Sequence, residues 1–107
     1  MLRLAFKNNG QTPRRTPRLG VRIPAQMRER GSLRYRCKVL DISPMGFRFE
    51  TALRIPIGAT VWLKIPDIAE LAAEIEWHRG NEYGCSFEAP MHQAVVDHVA
   101  KHYPALA

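Results

Sequence analysis

From residue 21 onward, apolar and polar residues alternate with the two-residue period of half-buried β-strands. Val21, Ile23, Ala25 and Met27 share one parity. After the turn signal Gly31-Ser32, Tyr35, Cys37 and Val39 continue the period, with Arg34, Arg36 and Lys38 facing the other way. The stretch Asp41 to Gly46 interrupts it, and Phe47 and Phe49 then alternate with Arg48 and Glu50. Pro56-Ile57-Gly58 marks a turn, Val61, Leu63 and Ile65 alternate with Trp62 and Lys64, and Pro66-Asp67 closes that run. Leu71, Ala73, Ile75 and Trp77 form a fifth run against Ala72, Glu74, Glu76 and His78. Gly80-Asn81 is a hairpin-type turn, and Tyr83, Cys85 and Phe87 make the sixth run. Short strands punctuated this way predict a mainly β fold: a small six-stranded antiparallel barrel or sandwich.

After Pro90 the period lengthens. Met91, Val95, Val99 and Tyr103 recur at every fourth position, which predicts a C-terminal helix that begins near Pro90, ends at Pro104 and packs on one barrel opening. Upstream of the first strand no apolar period exists. Residues 1–19 carry Asn8-Asn9-Gly10, Pro13 and Pro17, which predicts a mobile segment. The expected organisation is a flexible basic segment, 1–12, followed by one domain, 13–107.

Composition narrows the class. A chain of 107 residues makes one domain with one core. Apolar content of 46% with 24% charged residues is that of a folded globular protein rather than a disordered one. No apolar run approaches the length of a membrane span. Met1 to Lys7 is too short an apolar stretch for a secretion signal, so the cytoplasm is the expected compartment. Cys37 and Cys85 lie far apart in strand-like runs, lack metal-type spacing, and read as small buried apolar residues.

Charge is the uneven property. The net charge of +6 divides into +10 over residues 1–38, with eleven Lys/Arg against one acid, and −4 over the rest, with five against nine. A basic first third raises anion concentration near one face, without choosing among nucleotide, nucleic acid and membrane surface.

Two motifs carry candidate chemistry. The first is Arg14-Arg15-Thr16-Pro17-Arg18, with Arg14 and Arg18 spaced Arg-x-x-x-Arg. Guanidinium groups suit phosphate oxygens and the O6/N7 edge of guanine. With twelve arginines in the chain the spacing alone is weak, and a solvated basic tail explains it as well. The second is Asp41-Ile42-Ser43-Pro44-Met45-Gly46, an Asp-x-Ser-x-x-Gly pattern. Its carboxylate suits the donor edge of a base and its glycine lets a ligand approach the backbone. A plain strand connector needs the same residues, because Asp and Ser bond nearby amides in tight turns. The hairpin between the motifs returns residue 41 toward residue 18, so the two can line one site.

On these residues the chain resembles a PilZ domain. That family carries Arg-x-x-x-Arg near its start and Asp/Asn-x-Ser-x-x-Gly after its first hairpin. Arg18-Leu19-Gly20-Val21-Arg22-Ile23-Pro24 resembles its first strand, and Glu76-Trp77 with Gly84-Cys85-Ser86-Phe87 its fifth and sixth; Ala89-Pro90-Met91-His92 and the helix also match. The resemblance spans about residues 13–103. It implies a six-stranded barrel with a C-terminal helix that binds cyclic di-GMP, one molecule or an intercalated pair, in bacterial second-messenger signalling. By position, Arg14 and Arg18 would hold phosphates and guanine edges, with Arg15 assisting. Asp41 would accept from guanine N1 and N2, Ser43 would bond guanine or phosphate, and Gly46 would admit the backbone. Arg48 and Trp77 are secondary candidates; Trp77, by its parity, is also expected to face the core.

No enzyme is expected, because nothing assembles an acid, a base and a nucleophile. No cofactor beyond the nucleotide and no metal are expected: His98 and His102, four apart on the helix, read as surface histidines, as do His78 and His92. Glu74 and Glu76 read as solvated strand residues. The expected partners are cyclic di-GMP and a downstream protein, with no nucleic acid and no membrane insertion. A protein-interaction adaptor with an idle nucleotide site is the alternative. A basic barrel for RNA or single-stranded DNA ranks below both, because Phe47, Phe49, Trp77, Tyr83 and Phe87 share the core-facing parity instead of lining an outer stacking surface.

Overall fold

The computed structural model describes residues 18–105. The expected mobile segment 1–12, together with Arg14 and Arg15, lies outside the described residues. Six strands follow in order: β1 (Leu19–Glu29), β2 (Tyr35–Ile42), β3 (Gly46–Glu50), β4 (Thr60–Lys64), β5 (Leu71–Arg79) and β6 (Glu82–Phe87); one helix, α1 (Gln93–His102), follows them. All pairings are antiparallel, and the strands close into a barrel in the order β1-β2-β3-β6-β5-β4. Closure leaves the period-two pattern one interior to fill. Val21, Ile23, Met27, Val39, Phe47, Phe49, Val61, Leu63, Ile75 and Tyr83 are fully buried there.

The interior is strongest along the β3–β6 pairing. Phe87, Phe47, Phe49 and Tyr83 form a chain of rings with centroids 5.2, 5.8 and 5.3 Å apart, within the range where aromatic pairs contribute beyond their area. The Tyr83 hydroxyl donates to the Leu53 carbonyl at 2.7 Å and accepts from the Ile55 amide at 3.2 Å, which pins the long β3–β4 connection to the core. At the other end of the barrel, Arg28 binds Glu70 through two hydrogen bonds of 2.9 and 3.0 Å and lies 4.6 Å over the Trp62 ring. Proline is tolerated inside β1 because Pro24 precedes the stretch, Gln26 to Glu29, that pairs with β4, so its missing N–H costs no bond there.

Cys37 and Cys85 are buried free thiols. Burial pushes Cys37 up to about 12 and Cys85 higher still, so neither forms thiolate at neutral pH. Both should resist a thiol-reactive disulfide reagent at pH 8 in the folded protein and react together on unfolding in denaturant. Rapid reaction of either thiol without denaturant would contradict this burial.

The helix differs from expectation at one position of its apolar stripe. Val95 is among the exposed apolar residues, whereas Val96 and Val99 are buried, with Ala100 and Tyr103 packed beside them. The cause is the start. Met91 still belongs to the extended chain, where its amide donates to the Pro44 carbonyl at 2.8 Å, and His92 caps the helix by accepting from the Ala94 amide. Met91, Val99 and Tyr103 keep the expected stripe, and Val96 takes the buried place expected of Val95. The helix ends at Tyr103, before Pro104, and the chain there pairs with β1: the Arg22 amide donates to the Tyr103 carbonyl, and Val21 bridges to Pro104.

Candidate functional site

Strict alternation would turn both Asp41 and Trp77 inward, since Val39 and Ile75 are core residues. Two β-bulges turn them out. In β2 the pairing jumps from Val39↔Phe49 to Asp41↔Arg48, so Leu40 is the extra residue. In β5 it jumps from Ile75↔Cys85 to Trp77↔Gly84, so Glu76 is the extra residue. A bulge sets two residues against one and reverses the facing of everything beyond it. Trp77 is therefore only half-buried and not part of the core, which corrects the parity expectation. Its indole crosses the outer face of β6 at Gly84. A Cβ placed on Gly84 would meet the indole nitrogen at 2.0 Å, so only glycine leaves room.

The turn between β2 and β3 forms the adjacent wall. Ser43 is buried, and its hydroxyl accepts from the Met45 and Gly46 amides at 3.2 and 3.3 Å. Its own amide donates to the Gly46 carbonyl at 2.9 Å. The serine thus shapes the turn from within. β6 holds the turn from outside, the Phe87 amide donating to the Met45 carbonyl at 2.8 Å. Gly46 lies so close to β6 that a Cβ there would sit 2.1 Å from the Cys85 carbonyl oxygen.

Charged groups cross-link this wall. The Asp41 carboxylate accepts from Arg18 at 2.9 Å on one oxygen and from Arg48 at 2.8 Å on the other. Arg48 also binds Glu82 at 2.6 Å. These hydrogen bonds, Asp41 first and Glu82 second, hold the Arg48 guanidinium above its ordinary pKa, so it stays charged. Arg48 is partly buried between its two acids, whereas the Arg18 side chain is 50% exposed. Exposed pairs contribute about 0–1 kcal/mol, so Arg18 can leave Asp41 at little cost, while Arg48 stays as the fixed support of the carboxylate. The four charges of this network sum to zero.

A pocket of about 340 Å³ opens on this face, lined by Arg18, Ser43, Met45, Gly46, Trp77 and Ser86 among others. Of the eight candidates from the sequence, it brings together Arg18, Ser43, Gly46 and Trp77. Asp41 and Arg48 stand beside it through the Arg18 ion pair, and Arg14 and Arg15 lie outside the described residues. Sequence reasoning missed Glu82, the acid that anchors Arg48 from β6, and the Ser86 hydroxyl that donates to Glu76 at 2.6 Å. Register between β3 and β6 was the information needed for Glu82. Among the described residues no group of three or more His, Cys, Asp or Glu is placed to hold a metal ion. The His98 and His102 rings lie 4.2 Å apart, tilted by 44°, on the exposed side of α1.

A model of the PilZ domain matches residues 12–102, most of the chain and both motifs. The chain belongs to the PilZ domain family. PilZ domains are binding and adaptor domains, in general receptors for cyclic di-GMP. Among solved structures, the Bacillus subtilis inhibitor of motility, MotI/DgrA, superposes with a TM-score of 0.66 at 14% identity, over 86% of this chain and 52% of that one. That likeness concerns the fold, and this PilZ domain spans about half the length of the matched structure. No curated protein matches the chain. No helix among the described residues is long and apolar enough to cross a membrane.

Replacing Gly84 with alanine isolates the indole from the rest of the site. The Cβ should push Trp77 off the barrel, shifting its fluorescence toward that of a solvated indole, with the barrel retained because the ring is not core. An unchanged Trp77 environment in a folded Gly84→Ala protein would contradict this packing.

Proposed function

We propose that this PilZ domain is a receptor for cyclic di-GMP, taking the nucleotide on the outer face between the Asp41–Gly46 turn and Trp77. The observation that carries the reading is the pair of bulges. They turn an indole to the wall of one pocket and a carboxylate outward beside it, joined through Arg18, which lines the pocket, giving a stacking surface, a base-edge acceptor and a phosphate-seeking cation. Arg14 and Arg15 complete the electrostatics. The described network is charge-neutral, so the attraction for a dianionic ligand comes from the two arginines that precede it. Capture releases Arg18 from Asp41 to a phosphate and orders the arginine segment over the ligand. That order alters the surface met by a downstream protein, which carries the signal; the fold neighbour titled an inhibitor of motility fits such an output. The protein acts in the cytoplasm, without enzymatic chemistry or a resident cofactor.

Calorimetric titration with cyclic di-GMP tests the reading. Saturable heat is expected, with a stoichiometry that distinguishes one nucleotide from an intercalated pair. Absence of binding at concentrations on the order of tens of micromolar would count against it.

One observation favours a second reading. Asp41 already has both oxygens occupied by Arg18 and Arg48, so the site satisfies itself as it stands. An adaptor with an idle site would look the same. Partner capture with and without nucleotide separates the two, since an adaptor is indifferent to it.

A further inference from the structure

Arg18, Arg28, Arg34 and Arg48 are tied to Asp41, Glu70 or Glu82. Arg22, Arg36 and Lys38 are not: among the described residues none of them forms an ion pair. All three line a single groove of about 900 Å³ on the outer face of β1, β2 and the end of β3. The groove shares no residue with the pocket beside Trp77. Glu50 is its only acid and stands opposite Lys38 in register, yet no ion pair joins them. Pro24 and Ala52 belong to its apolar lining.

We propose that this groove is a docking surface for an acidic, leucine-bearing peptide segment of a partner protein. Charge complementarity selects the occupant. Three cations without an ion pair among the described residues suit carboxylates, and the apolar lining at Pro24 and Ala52 takes an aliphatic side chain. β2 is paired on both sides, by β1 and β3, so the segment is held by side chains rather than by adding a strand. No aromatic side chain lines the groove among the described residues, so it offers no platform for stacked bases, which sets a nucleic acid apart from an acidic peptide. The proposal stands independently of nucleotide capture, because the two sites use different residues.

Fluorescence anisotropy on the full chain tests it, with a dye-labelled peptide of repeating Glu-Asp-Leu units as the probe. The Arg36→Glu/Lys38→Glu variant is expected to weaken capture roughly tenfold or more. Arg30→Glu/Lys101→Glu makes the same change in net charge at exposed positions outside the groove and is expected to alter capture less than about twofold. A single-stranded oligonucleotide is expected to bind the unaltered protein more weakly than the peptide. Equal losses in the two reversed variants would overturn the proposal by reducing it to bulk charge, and tighter oligonucleotide binding would overturn it in favour of nucleic acid. Arg36→Gln/Lys38→Gln repeats the test without introducing new acids, should the reversal disturb folding. Cyclic di-GMP affinity of Arg36→Glu/Lys38→Glu is expected to match that of the unaltered protein; parallel loss of nucleotide and peptide would merge the two sites and overturn the groove as a separate one.

Discussion

The Arg14→Ala/Arg18→Ala variant is expected to lose cyclic di-GMP binding while keeping its fold. Charge-assisted hydrogen bonds contribute about 1.5–3 kcal/mol each, so removing two costs about 3–6 kcal/mol. That corresponds to a rise in Kd on the order of two to four decades, enough to erase heat in a titration at micromolar concentrations. Stability should barely change. Half of the Arg18 side chain is solvent-exposed, and its link to Asp41 is a surface ion pair of the kind that contributes about 0–1 kcal/mol. Calorimetry and thermal melting of the same preparation separate the two roles: a double variant that melts early or fails to fold makes these arginines structural.

Gly46→Ala is expected to act the other way round, on stability first and on the ligand through it. The added Cβ would sit 2.1 Å from the Cys85 carbonyl oxygen and 3.2 Å from the Ser86 Cα. Those neighbours are β6 backbone at the end of the ladder where Gly46 pairs with Ser86, and no rotamer change relieves the contact. Over-packing of this kind costs about 1–3 kcal/mol. Each kcal/mol lowers the melting temperature of a domain this size by roughly 4–8 °C, so a drop near ten degrees is expected. The same shift opens the turn that Ser43 holds together, so nucleotide affinity should fall as well. A Gly46→Ala protein with unchanged melting would show that β3 and β6 are not in such close contact.

Much of this architecture was visible in the sequence, for a physical reason. A closed barrel has one interior, and every strand must send alternate residues into it. Val21 to Met27, Phe47 with Phe49, and Tyr83 with Phe87 therefore announce their strands and their faces. The Asp-x-Ser-x-x-Gly turn was visible too, because hydroxyl-to-amide bonding and close backbone approach leave few residue choices. Bulges break the rule. Nothing in the composition of Val39-Leu40-Asp41 or Ile75-Glu76-Trp77 says that one residue is extra; cross-strand pairing decides it. Hence Trp77 was expected inside, although it stands outside and lines the candidate pocket. Arg48 was suspected only from its nearness to Gly46 in the chain, because Glu82, the acid that steadies it, lies 34 residues away and meets it across the barrel wall. The helix was legible as an element and at Val99 and Tyr103 but not at Val95, since the capping His92 follows an apolar residue that counts toward the stripe without being helical.

The measurement closest to the central claim is an amide and indole spectrum of the labelled protein recorded with and without cyclic di-GMP. The predicted result is a concerted change at Arg18, at Asp41 through Gly46 and at the Trp77 indole, with the helix residues Val96 and Val99 unmoved. Saturating nucleotide that leaves the turn and the indole unperturbed, or moves one without the other, would contradict the account.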